Sequence, residues 1–177
     1  MKLHTKFSFL VFAISALATA QEPKNLGPLP IQRLVCNSGY KVPECQQQIG
    51  VLRSTLALYP NQTRGEWTWV LVKSQDWKAI VQRLGGNTDS PAFSILEKRE
   101  TFLEEALFAP VGSRQSELLR IWSIPLDRFL EVAVTHELGH VICEDLDEAR
   151  AEAFGRLLRE GKKPECDATP RKQVTSH

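Results

Sequence analysis

Hydrophobic residues along the chain are spaced in a way that predicts five helices and three short strands. In the helical segments, apolar side chains recur every three or four residues, which places them on one face against a core. These segments cover residues 43–59, 74–84, 113–122, 125–143 and 147–161. Shorter runs rich in β-branched and aromatic residues predict strands at 66–73, 92–96 and 101–103. With no internal repeat, this order of elements predicts a single α+β domain.

The first twenty residues have the pattern of a targeting segment. Lys2 and Lys6 precede an apolar stretch over 7–17, and Ala18-Thr19-Ala20 is a small-residue cleavage pattern. A retained anchor is the alternative, but the stretch is shorter than the roughly 20 residues that span a bilayer. We therefore expect a Sec-type signal peptide over 1–20, a secreted or periplasmic protein, and no stable membrane anchor after cleavage.

The rest of the chain has the length of one domain with a core. We predict a flexible lead-in over 21–35, which begins proline-rich, a folded domain over 36–166 and a disordered tail over 167–177. The chain has 22 Lys and Arg against 21 Asp and Glu, with no basic face and no nucleic-acid motif. This balance argues against nucleic acid as a partner.

Candidate chemistry is concentrated in the predicted helix at 125–143. The segment His136-Glu137-Leu138-Gly139-His140 has the form HExxH and holds two of the four histidines in the chain. Residues i and i+4 share one face of a helix, so both imidazoles can bind one zinc ion. Glu137 then lies near the metal-bound water as a general base. The alternative is a chance occurrence, but a core-facing apolar stripe runs beside the motif.

Two histidines need a third protein ligand to form a catalytic zinc site. Glu144 is eight residues beyond His136, roughly 12 Å along a helix, so one straight helix cannot bring both to one ion. The third ligand must come from another element. In the next predicted helix, Glu148 and Glu152 share one face. Their alternative role is a solvent-exposed face paired with Arg156 and Arg159 of the same helix.

With these residues the chain resembles the zincin metallopeptidases, specifically the gluzincin branch. In that branch HExxH lies on one helix, and a glutamate from a following helix completes the zinc site. The resemblance covers about residues 129–158. It implies a zincin-like single α+β domain, in which a small mixed or antiparallel sheet packs on the HExxH helix and a C-terminal helix follows. In such a domain the edge strand aligns an extended peptide.

The resemblance also implies a role for each residue of the motif. His136, His140 and Glu148 would bind Zn²⁺, and Glu137 would be the catalytic base. Glu152 would receive the outer N–H of a zinc-bound imidazole and fix the orientation of the ring.

Two departures from the gluzincin pattern set requirements on the structure. Only seven residues separate His140 from Glu148, so the HExxH helix must end near Cys143 and the chain must reverse within 144–146. Many gluzincins also place a downstream His or Tyr at the oxyanion, and after Glu148 this chain has only His177. The candidates for that role are the zinc ion alone or one of Tyr40, Tyr59, Arg150 and Arg156.

Four cysteines follow the predicted signal peptide, and an even number in an exported chain predicts two disulfides. Of the three possible pairings, we favour Cys36–Cys45 and Cys143–Cys166, because each joins sequence neighbours across a turn. The alternative is that Cys143, three residues after His140, binds the metal as a thiolate.

These observations predict an exported zinc-dependent peptidase with a peptide or protein substrate. Glu137 favours an enzyme, because a structural zinc site has no need of a general base. One alternative is a non-catalytic zinc-binding module, in which the same ligands hold a structural metal. The other is an exported interaction module with a vestigial HExxH site.

Overall fold

The computed structural model describes residues 32–59, 65–108 and 113–166. The predicted signal peptide (1–20), residues 21–31 of the predicted lead-in and the predicted tail (167–177) lie outside the described residues. Within the described part of the chain, no helix is long and apolar enough to cross a membrane.

The folded domain begins before the predicted boundary at Cys36. Residues 32–35, which we assigned to the flexible lead-in, belong to the first strand, β1 (Gln32–Cys36). This part of the prediction is wrong, because the prolines that suggested a lead-in end at Pro30 and Leu34 pairs with Trp69 of the neighbouring strand.

Four strands form one mixed sheet in the order β1-β2-β4-β3. β1, β2 (Trp67–Val72) and β4 (Glu100–Glu104) are parallel, and β3 (Ala92–Ile95) is antiparallel to β4. The parallel pair β1 and β2 is joined through a helix, whereas β3 and β4 are joined by the short 3-10 turn Leu96–Lys98, which requires an antiparallel pair. The structure thus confirms an α+β domain with a small mixed sheet, in which β3 lies at an edge.

The five predicted helices are present within a few residues of their predicted bounds. They are α1 (Val42–Ala57), α2 (Ser74–Leu84), α3 (Ser113–Trp122), α4 (Phe129–Cys143) and α5 (Glu148–Arg159). α4 begins four residues later than predicted, after a 3-10 turn in which Arg128 N donates to the Pro125 carbonyl at 3.0 Å. That tighter turn takes the place of the first α-helical turn.

Helices cover both faces of the sheet. Successive strand residues point to opposite faces, so Trp69 and Leu103 join a buried cluster with Leu138 of α4. On the other face, Phe102 joins a second cluster with Trp77 of α2. The HExxH helix is therefore packed directly on the sheet and held in a fixed position relative to its strands.

Both predicted disulfides are confirmed. Cys36–Cys45 joins β1 to α1, and Cys143–Cys166 joins the end of α4 to the chain that follows α5. Because its sulfur is bonded to Cys166, Cys143 is not a thiolate ligand, and the alternative metal role for this residue is wrong.

Candidate metal centre

Three side chains from α4 and α5 bring their donor atoms together. His136, His140 and Glu148 each offer one ligand atom, and these atoms lie within 4.8 Å of one another. Oε2 of Glu148 is 3.0 Å from Nε2 of His136 and 3.6 Å from Nε2 of His140. The i, i+4 spacing on α4 explains the pair of imidazoles, and the first residue of α5 supplies the carboxylate. This group could hold a metal ion.

The outer nitrogens of both imidazoles face acceptors that orient the rings. Nδ1 of His136 lies 3.4 Å from Oε2 of Glu152, and Nδ1 of His140 lies 2.6 Å from the Asp145 carbonyl oxygen. Carboxylate and carbonyl oxygens accept hydrogen bonds, so these two partners favour the tautomer with the hydrogen on Nδ1. In that tautomer each Nε2 keeps its lone pair for a metal ion.

The chain reverses between α4 and α5 over the short distance that Glu148 needs. Glu144 ends α4 in the left-handed conformation with φ of 48°, and Asp145 N donates to the His140 carbonyl at 3.0 Å. The Asp145 carboxylate is paired with Arg150, whose hydrogen bonds lower the pKa of Asp145 to about 2. This ion pair fixes the turn that presents the Asp145 carbonyl to His140.

Close packing of α4 on α5 brings the ligands of the two helices together. A Cβ atom on Gly139 would lie 2.4 Å from the Ala151 carbonyl oxygen, and one on Gly155 would lie 2.9 Å from the Thr135 carbonyl oxygen. Both distances are shorter than real Cβ contacts. The absence of a side chain at both glycines thus allows the backbones to approach until Glu148 reaches the histidines.

Glu137 is buried beside the three candidate ligands. Its side chain is on α4, and its Oε2 accepts a hydrogen bond of 2.7 Å from Ser94 Oγ on β3. Burial raises the pKa of Glu137 to about 7, although the neighbouring His140 and the Ser94 hydrogen bond lower it. A carboxyl group with a pKa near neutrality can both take up and release a proton.

The candidates for an oxyanion donor are mostly engaged elsewhere. The Tyr40 hydroxyl donates to Gln48 at 2.8 Å, and the Tyr59 hydroxyl donates to Glu131. Arg150 holds the turn between α4 and α5. Three of the four candidate side chains therefore have structural partners that sequence patterns did not indicate.

Arg159, which the sequence suggested only as an ion-pair partner of the α5 glutamates, holds Glu152 in place. Its guanidinium donates to Oε1 of Glu152 at 3.1 Å and to the Thr135 hydroxyl of α4. Its side chain is largely buried, with 12% exposed. The structure thus confirms the alternative pairing of Glu152 with Arg159, whereas the contact of Arg159 with Thr135 was not predicted.

We expect Glu152→Ala to weaken binding of Zn²⁺ by roughly 10–100-fold, since the loss of a partner behind a metal-bound histidine typically has this effect. Arg159→Met should cause a smaller loss in the same direction. Arg156→Met, an exposed arginine on the same helix, serves as the control. Competition titrations with a fluorescent zinc chelator would measure all three. Unchanged affinity in Glu152→Ala would show that this carboxylate does not orient His136.

No family model, curated protein or solved structure matches this chain.

Proposed function

We propose that this protein is an exported zinc-dependent peptidase that hydrolyses peptide bonds with Glu137 as the general base. One observation carries the proposal. Two imidazole nitrogens and a carboxylate oxygen converge on one point, with the buried Glu137 on the same helix as both histidines.

The donor set supports zinc as the metal. Two His and one Glu form a ligand set typical of catalytic zinc, which keeps a further position open for water or substrate. The side chain of Glu148 is 79% exposed, whereas that of His140 is 7% exposed. A group that is open to solvent on one side favours catalysis over a structural role, because structural zinc sites are usually closed by four protein ligands.

Each residue of the site then has a separate role in hydrolysis. Held by His136, His140 and Glu148, a zinc ion would lower the pKa of a coordinated water and polarise the substrate carbonyl. Glu137 accepts a proton from the attacking water and later donates it to the leaving amine. Glu152 and the Asp145 carbonyl would hold the two imidazoles in one orientation throughout these two proton transfers.

The position of β3 supports a peptide as substrate. This strand is at the edge of the sheet, paired on one side with β4, and its Ser94 contacts Glu137. No strand of the described residues pairs with the other side of β3, and an extended peptide could add there by backbone hydrogen bonds, as other peptides do at exposed sheet edges. Its scissile bond would then lie next to the base.

The two disulfides support export. Disulfides persist in oxidising compartments and are rare in the cytosol, and all four cysteines of this chain are paired. This agrees with the predicted signal peptide at 1–20, which lies outside the described residues.

A test begins with the chain that lacks residues 1–20 and a library of peptides read by mass spectrometry. We expect cleavage that 1,10-phenanthroline abolishes and that one equivalent of Zn²⁺ restores. Elemental analysis after dialysis should find one zinc per chain. Glu148→Gln should lose both metal and activity, because the amide is a poor zinc ligand.

Glu160→Gln is the matched control, since Glu160 follows α5 and pairs only with the exposed Lys162 in the described structure. It should keep zinc and activity. One tightly bound zinc without any cleavage would favour the non-catalytic zinc-binding module. Failure to bind zinc at all would contradict the proposed metal site and favour the vestigial alternative.

A further inference from the structure

A chain of hydrogen bonds crosses the sheet and ends on Glu137. The Trp67 indole nitrogen of β2 lies 3.0 Å from the Thr101 hydroxyl of β4. The Thr101 hydroxyl lies 2.8 Å from the Ser94 hydroxyl of β3, which lies 2.7 Å from Oε2 of Glu137. Three adjacent strands are thereby connected to the HExxH helix through side chains.

Only one direction of donation satisfies every group in this chain. The indole N–H of Trp67 can only donate, so the Thr101 oxygen accepts from it. In the ionised form that acts as a base, the Glu137 carboxylate can only accept, so the single hydroxyl proton of Ser94 points at Glu137. Ser94 is then left as the acceptor from Thr101. The two ends therefore fix the direction of both hydroxyl protons in between.

Most groups of this hydrogen-bond chain are buried, so each of them needs a partner. Trp67, Thr101 and Glu137 are each at most 3% exposed, and a buried hydroxyl without a partner is unfavourable. Valine at position 101 would have nearly the same shape and no hydroxyl to satisfy. The Thr101 hydroxyl therefore contributes to the hydrogen-bond chain and not to the filling of the core.

We propose that Ser94 is a positioning residue for Glu137, and that Thr101 and Trp67 fix the direction of the Ser94 hydroxyl proton. This inference rests on the proposed function, in which Glu137 is the base. Ser94 donates its hydrogen bond to Oε2 of Glu137, so Oε1 of Glu137 is the oxygen left for the attacking water. Because Ser94 is part of β3, it also ties the base to the strand that aligns the substrate in the proposed enzyme.

Kinetics provide the first test. Ser94→Ala should lower kcat by roughly 10–100-fold, as expected for one hydrogen bond to a charged group, with KM and zinc affinity nearly unchanged. Ser94→Thr, which retains the hydroxyl, should recover most of the loss. Thr101→Val should lower kcat by about 2–10-fold, because Ser94 keeps its proton but loses the group that directs it. Thr101→Ser should restore it.

Ser90→Ala is the matched control. Its hydroxyl makes a comparable hydrogen bond of 2.6 Å to the Ala92 carbonyl near the start of β3 and is not part of the chain to Glu137. Its kcat should equal that of the wild type. Equal values of kcat for Ser94→Ala and Ser90→Ala would overturn the proposal, as would an equal loss in Ser94→Thr and Ser94→Ala.

The second test does not depend on activity. The protein has four tryptophans, and the indole N–H resonance of Trp67 is identified by its absence in Trp67→Phe. Hydrogen bonds in a series polarise one another. Ser94→Ala should therefore shift this resonance upfield, although the hydrogen-bond chain connects residues 67 and 94 only through Thr101. Ser90→Ala should leave it in place, and an unmoved resonance in Ser94→Ala would overturn the hydrogen-bond chain.

The two readouts separate this inference from the proposed function. A wild-type protein that cleaves peptides, with Ser94→Ala as active as the control, overturns the role of Ser94 alone. A wild-type protein that cleaves nothing overturns the proposed function and with it the positioning of a base. In that case a shifted Trp67 resonance would show that the chain holds Glu137 without serving catalysis.

Discussion

Glu137→Gln should lower the turnover number for peptide cleavage by roughly 10²–10⁴-fold, the usual contribution of a positioned general acid–base group. The amide has the shape of the carboxyl group, and its carbonyl oxygen can still accept the hydrogen bond from Ser94. It cannot take a proton from water. Affinity for Zn²⁺ should remain nearly that of the wild type, because His136, His140 and Glu148 are all intact.

Glu131→Gln on the same helix provides the control for this substitution. Glu131 accepts a hydrogen bond from Tyr59 and forms an ion pair with Arg128, and neither partner is a candidate metal ligand. It should retain full turnover. Steady-state kinetics on a peptide found in the library screen, with zinc content measured for each variant, would decide the outcome. Chelator-sensitive cleavage that is equally fast in Glu137→Gln would show that another group acts as the base.

Gly139→Ala should destabilise the protein and strongly reduce its affinity for Zn²⁺. The new methyl group would lie 2.4 Å from the Ala151 carbonyl oxygen and 2.9 Å from Ala151 Cα, so the backbones of α4 and α5 must separate. Overpacking of this kind costs about 1–3 kcal/mol, and more where the obstacle is backbone. This exceeds the gain of about 1 kcal/mol that alanine brings to a helix.

The effect on the metal follows from the same displacement. Glu148 is on α5 and both histidines are on α4, so separation of the helices moves one ligand away from the other two. We expect a loss of affinity larger than the roughly 10–100-fold typical of removing an outer partner. Denaturant unfolding and zinc competition titrations would measure the two effects.

Gly50→Ala is the matched control for Gly139→Ala. Gly50 is also inside a helix, α1, and a Cβ atom there would meet no atom within 4 Å. This substitution should stabilise the protein by about 0.5–1 kcal/mol through helix propensity alone. If Gly139→Ala stabilised the protein to the same extent, the close approach of α4 to α5 could not be what holds the site together.

Local patterns were sufficient for most of the elements. The five helices and the strands β2, β3 and β4 were predicted close to their bounds, because the spacing of apolar residues reports which face is buried. The strand β1 was missed, because its sequence Gln32 to Cys36 is short and has no alternation of polar and apolar residues. Its pairing with β2 supplies the stabilisation that its own pattern does not indicate.

The sequence by itself determined the candidate ligands and the disulfides. The i, i+4 spacing of His136 and His140 defines one helix face, and the reach of a helix then excluded Glu144. The resemblance to the gluzincins implied Glu148, on the next helix, as the third ligand. Export and the even number of cysteines predicted two disulfides, and short separations along the chain favoured the two pairings that the structure shows. These residues are close along the chain, where backbone geometry alone limits the distances between them.

Only the tertiary structure decided which groups surround those ligands. Ser94 meets Glu137 across 43 residues, and Arg159 meets Thr135 across 24. The Asp145 carbonyl that faces His140 is a backbone atom, which every residue type possesses, so residue identity gave no sign of it. Contacts of this kind depend on how the sheet packs on α4 and how closely α4 approaches α5, and those distances are set by the packing of the whole domain rather than by any local pattern.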